Sequence, residues 1–120
     1  MLTISDLKTY VPCLDFEASK QFYRELGFEL TEGYGGTFDC KLGAAQFRLQ
    51  NYYVKDWADN FMMLLQVDDV NAWYQRAKLL VESNRFDKVR ITEVEERDGA
   101  LITNLIDPGG VLLIFIQILA

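Results

Sequence analysis

Apolar and polar positions along the chain follow two periods, and the switches between them mark its elements. Residues 8–14 read as a short strand, after which Asp15 is placed to cap a helix that Gly27 ends. In that helix Phe16, Phe22, Tyr23 and Leu26 take one side, while Glu17, Lys20, Gln21, Arg24 and Glu25 take the other. Strand-like segments follow over 28–32, 37–42 and 44–52, joined by Gly33, Gly35 and Gly36 and then by Gly43. The pattern then restarts. Residues 61–67 form a strand, and Asp68 or Asp69 caps a second helix with Val70, Trp73, Tyr74, Ala77, Leu80 and Val81 as its apolar stripe. Strands are predicted near 88–95, 100–106 and 111–118, with Asp98-Gly99 and Asp107-Pro108-Gly109-Gly110 as turns.

The chain thus reads βαβββ twice. Asp15-Phe16-Glu17-Ala18 and Asp69-Val70-Asn71-Ala72 are equivalent positions 54 residues apart, the mark of a duplicated unit. The predicted fold is α+β, with two βαβββ modules forming a curved sheet with a concave ligand cleft and helices on the outer face. The 120 residues make a single domain: module one over about 1–52, a non-helical connection over about 53–59, and module two over about 60–120.

Composition removes whole classes of function. The chain has no histidine, so no mechanism that needs an imidazole base or ligand applies. Twelve Lys/Arg against eighteen Asp/Glu give a net charge of −6, which argues against a nucleic-acid partner and agrees with a cationic ligand. Cys13 and Cys40 sit in apolar strand contexts and read as reduced core thiols. No secretory leader or bilayer-spanning segment is expected, so the predicted location is cytoplasmic, with no membrane partner. Ser5, Ser19 and Ser83 lack the surroundings of a nucleophile, and the Gly33–Gly36 run leads into a strand rather than into the helix of a phosphate loop.

The run Val11-Pro12-Cys13-Leu14-Asp15-Phe16-Glu17-Ala18 leads to Phe22-Tyr23-Arg24-Glu25-Leu26-Gly27-Phe28. With Val67-Asp68-Asp69-Val70 and Asp107-Pro108-Gly109-Gly110-Val111-Leu112-Leu113, it resembles the vicinal-oxygen-chelate (glyoxalase/bleomycin resistance protein/dioxygenase) superfamily across nearly the whole chain. The resemblance implies four metal-ligating positions, which fall here on Lys8, Arg48 (Phe47 if the register slips by one), Met62 and Ile114. Those side chains do not suit a hard divalent cation, so no metal and no cofactor is expected. The chain looks most similar to the metal-free, bleomycin-resistance-like members. That likeness implies a homodimer, with modules exchanged between subunits, that sequesters a small molecule.

Strand alternation then sorts the candidate ligand-binding residues. Lys8, Tyr10, Asp39 and Arg48 are predicted to face the cleft in module one, and Met62, Leu64 and Asn104 in module two. Tyr53, Trp57 and Phe61, in or beside the connection, would supply stacking faces, or else cover the sheet end. Asp39 and an acidic hairpin of Glu93, Glu95, Glu96 and Asp98 would match a cation, although a charged hairpin tip is also simply a wet one. The expected function is non-catalytic binding of a cationic or aromatic antibiotic or other toxic compound. The alternatives are a metal-independent enzyme using Lys8, Arg48, Asp39 and Tyr10 on a carbonyl or thiol adduct, and a scaffold or regulatory dimer.

Overall fold

The computed structural model describes residues 2–120, and its order of elements repeats as the sequence does. The first half runs β1 (Tyr10–Pro12), α1 (Phe16–Leu26), β2 (Glu29–Glu32), β3 (Phe38–Leu42) and β4 (Ala45–Gln50). A short helix, α2 (Lys55–Asp59), leads to the second half. This comprises β5 (Met62–Gln66), α3 (Val70–Glu82), β6 (Arg90–Ile91), β7 (Glu95–Arg97), β8 (Ala100–Ile106) and β9 (Leu112–Ile118). The two aspartates 54 residues apart do the same job. Asp15 accepts from the Ala18 N–H and Asp69 from the Ala72 N–H, both at 3.1 Å, each satisfying a donor in the first helical turn. Asp68 takes no part.

Each module keeps its own sheet. The first has the order β1-β4-β3-β2 and the second β5-β9-β8-β6, with β7 also paired to β8. In both, the strand before the helix runs parallel to the last strand of its module, and the remaining pairs are antiparallel. Pro12, which lacks an N–H, is tolerated because β1 is an edge strand.

One face of each sheet packs on its helix, and the two helices pack on each other. Phe22 of α1 meets Phe86 edge-to-face at 5.5 Å, Arg76 of α3 donates to the Leu26 carbonyl at 3.3 Å, and Arg85 grips Glu25 through both oxygens. Gly27 makes that approach possible. Its φ is +122°, and a Cβ there would lie 2.7 Å from the Arg76 guanidinium. Trp73 of α3 stacks on Phe115 of β9 at 4.8 Å. Phe22, Tyr23, Leu26, Leu49, Leu105, Leu113 and Phe115 are fully buried in one core shared by both modules. Cys13 and Cys40 lie in it as free thiols, and burial pushes both up to about 12.

Three local expectations are corrected. The connection contains a helical turn, held by the buried Ala58 and by an i,i+4 pair between Lys55 and Asp59. The strand expected over 88–95 breaks into β6 and β7, because the Thr92 hydroxyl accepts the Asn104 N–H at 2.9 Å while the Thr103 hydroxyl bonds the Thr92 carbonyl. The strand expected over 8–14 shrinks to Tyr10–Pro12.

Candidate functional site

The helix-free faces of the two sheets differ in chemistry. On the first, strand register sets Tyr10, Arg48, Asp39 and Thr31 side by side across β1, β4, β3 and β2. Arg48 holds Asp39 in a fork, Nε to Oδ1 at 2.7 Å and Nη2 to Oδ2 at 3.2 Å. Its guanidinium also lies 5.7 Å from the centroid of the Tyr10 ring. Lys8 reaches Asp39 at 3.7 Å and Asp6 at 3.1 Å. Gly33 is shaped to this cluster: a Cβ at that position would meet the guanidinium at 3.1 Å and the Thr37 hydroxyl at 2.5 Å.

Four of the predicted residues are therefore brought together, but with a different charge balance from the one expected. The fork from Arg48, more than any other influence, holds the Asp39 carboxyl below its ordinary value. Two cations already surround that carboxylate. It is not an open anion waiting for a ligand, and as a fixed carboxylate it is a poor proton donor near neutral pH.

The second sheet carries an apolar face. Met62, Leu64, Leu112, Ile114, Ile116, Ile102 and Ile106 all lie on the side away from α3, while the alternating Leu113, Phe115, Thr103 and Leu105 are buried. Met62 and Leu64 are each 62% exposed. Asn104 sits in the middle of this face, in a row with Ile114 and Leu64. At one end, Glu95 pairs with Ile102 across β7 and β8, so the acidic hairpin borders the apolar surface. The start of β4 lies beside β5, where a cavity of about 410 Å³ takes Thr9 and Gln46 from one sheet and Met62 and Leu64 from the other. The polar and apolar faces thus adjoin at a seam.

The remaining predicted residues separate. Trp57 is 63% exposed on α2. Tyr53 is engaged in the fold, its hydroxyl donating to the Gly109 carbonyl at 2.8 Å, and Phe61 packs against the core. Leu112 and Ile116, not singled out from the sequence, follow from Ile114 by alternation along β9.

The register relates two of the four positions that the resemblance assigns to metal ligands. Tyr10 pairs with Arg48, and the repeat-equivalent Leu64 pairs with Ile114, so Arg48 and Ile114 are true counterparts. Phe47 points the other way, into the core. Two cations, a thioether and an alkyl group do not fit a divalent metal, and the adjacent carboxylate is committed to Arg48.

A sequence model of the Glyoxalase/Bleomycin resistance protein/Dioxygenase superfamily matches residues 7–115. The chain belongs to this superfamily. Among solved structures it is similar to a bleomycin resistance determinant encoded on the transposon Tn5, at 24% identity and TM-score 0.78, covering 96% of this chain and 98% of that one. A bleomycin-binding protein complexed with bleomycin matches at 24% identity and TM-score 0.76, covering 95% and 98%. An antibiotic-binding protein from a Streptomyces species matches at 24% identity and TM-score 0.72, covering 98% of each chain. No curated protein matches the chain. At these identities the likeness establishes the superfamily fold, with its paired βαβββ modules.

Proposed function

We propose that this superfamily member binds an antibiotic with cationic and aromatic parts, stoichiometrically and without turning it over. The observation that carries the proposal is the apolar free face of the second sheet, bordered by Glu95 and its acidic hairpin. An uncovered, multi-strand apolar surface with acid at its margin suits a molecule with a flat apolar body and a positive end. Met62, Leu64, Ile114 and Asn104 would form the floor, while Lys8, Tyr10, Asp39 and Arg48 would form a polar wall across the seam. Trp57 is available as a stacking face. Two of the similar solved proteins, one that binds bleomycin and one that binds an antibiotic, support this reading.

We place the working form as a homodimer with exchanged modules, because β5 offers an unpaired edge beside exposed Met62 and Leu64. We place it in the cytoplasm on the strength of its two unpaired thiols. No helix is long and apolar enough to cross a membrane among the described residues. The metal-independent enzyme has less in its favour, since Asp39, the carboxylate that β3 sets on the polar face, is locked to Arg48 of β4.

A thermal-shift series with bleomycins, other cationic drugs, divalent metals and an EDTA control tests the proposal. A drug held at 100 times its dissociation constant adds about 2.7 kcal/mol of stability. A drug-specific rise that survives EDTA is expected. A response to Zn²⁺ or Mn²⁺ alone, or to no drug, overturns the proposal.

A further inference from the structure

A cavity of about 390 Å³ at the other end of the second sheet has the opposite electrostatic character from the acidic hairpin. It is lined by Lys55, Asp59, Lys88, Arg90, Ile106 and the Gly109–Gly110 backbone. Asp59 is neutralised by Lys55 at 2.5 Å. Lys88 and Arg90 make no ion pair among the described residues, although acids outnumber bases by eighteen to twelve in this chain. Two uncompensated cations therefore meet in one concavity.

Hydrogen bonds hold the turn that forms one wall. Asp107 accepts from the Gly109 N–H at 2.8 Å and the Val111 N–H at 2.9 Å, and Tyr53 holds the Gly109 carbonyl. Gly110, at φ +96°, lets the turn approach Asp59, whose Oδ1 would lie 3.4 Å from a Cβ there. Lys88 itself sits at φ +67°, a left-handed conformation uncommon for lysine. Arg90 is opposite Ile106 in the β6–β8 ladder, which places a guanidinium fork next to an apolar floor.

We propose that this cavity binds a small organic anion, a phosphate monoester or a carboxylate, with its head between Lys88 and Arg90 and its apolar portion on Ile106. The geometry suits such a ligand because an arginine fork takes two oxygens of a planar or tetrahedral anion while the lysine supplies a point charge. This site lies at the edge of the apolar face proposed to bind a cationic drug, shares Ile106 with it, and differs from its acidic border in carrying positive charge.

Isothermal titration at low ionic strength with phenyl phosphate, benzoate and inorganic phosphate tests the assignment. One equivalent of phenyl phosphate or benzoate is expected to bind, more tightly than inorganic phosphate, and whichever binds names the head group. Arg90→Gln and Lys88→Gly should each weaken that binding about tenfold. Lys88→Gly also relieves the left-handed backbone, so its melting temperature should equal or exceed that of the parent, which separates lost binding from lost fold. Lys78→Gln, the same loss of charge on α3, should leave binding unchanged. Absence of binding by all three probes, equal binding of inorganic phosphate, or a Lys78→Gln effect as large as the others overturns the proposal. These outcomes are independent of any result with bleomycin.

Discussion

The Tyr23 hydroxyl, in α1 of the first module, donates a 2.7 Å hydrogen bond to the carboxylate of Asp107, 84 residues further on in the turn between β8 and β9. Both side chains are buried, at 0% and 1% exposure. The other carboxylate oxygen takes the Gly109 and Val111 N–H groups, so three donors replace the water that this charge has lost. The duplicated halves are thereby tied at their centre by a polar contact, and the same turn is fixed in place beside the proposed anion cavity.

Removing the donor tests this tie. Burial raises the Asp107 carboxyl above its ordinary value, and the Tyr23 hydroxyl opposes that rise. Because its folded value is raised, the native state holds the proton more tightly than the unfolded chain, and stability from this group falls as pH climbs above about 4. Tyr23→Phe should cost about 1–3 kcal/mol near neutral pH. The penalty should shrink in acid, where Asp107 is protonated and no charge needs the donor. Urea denaturation of both proteins across pH reads this directly, and a penalty independent of pH would contradict it.

The two helix caps predict a matched pair of effects. Asp15→Ala and Asp69→Ala should each lower stability by about 1 kcal/mol, whereas Asp68→Ala should change it by less than about 0.5 kcal/mol. Thermal or urea unfolding distinguishes them. Equal losses at Asp68 and Asp69 would mean that general acidity at the helix start matters, and not the bond to the Ala72 N–H.

The Arg48–Asp39 fork predicts an acid-sensitive contribution. The Asp39 carboxyl is held below its ordinary value of 3.8, so its stabilising effect is complete above that pH and is lost as pH falls through the lower folded value. Arg48→Met and Asp39→Asn, combined in a double-mutant cycle, should show a coupling of about 1 kcal/mol at neutral pH that fades in acid. Gly33→Ala should reduce the same coupling, because its methyl group would crowd the guanidinium at 3.1 Å and clash with the Thr37 hydroxyl at 2.5 Å. A coupling of zero at neutral pH would show the pair to be merely adjacent.

The duplicated fold was legible because its signals are local: the paired caps, Gly27, the apolar stripe of α3 and the alternation in β8 and β9. The placement of Arg48 and Ile114 as counterparts was legible for the same reason, since alternation and repeat offset agree. What stayed hidden depends on contacts across the chain. Asp39 reads as a free anion until β4 lays Arg48 beside it, and Tyr53 reads as a ligand face until the DPGG turn offers it the Gly109 carbonyl. The split at Thr92 turns on a side-chain hydroxyl taking over a ladder bond, which no hydrophobic pattern records. The convergence of Lys55 with Lys88 and Arg90 brings α2 to the segment that enters β6 and leaves no periodic trace.

Titration of metal-free bleomycin into the protein by calorimetry, in EDTA, tests the central claim most directly. Leu64→Asp serves as the companion variant, since a side chain 62% exposed can be replaced without opening the core. Binding of about one drug molecule per chain, weakened at least about tenfold in Leu64→Asp with an unchanged melting temperature, is the predicted result. No binding, or equal binding by the variant, would contradict the account of this face as the ligand surface.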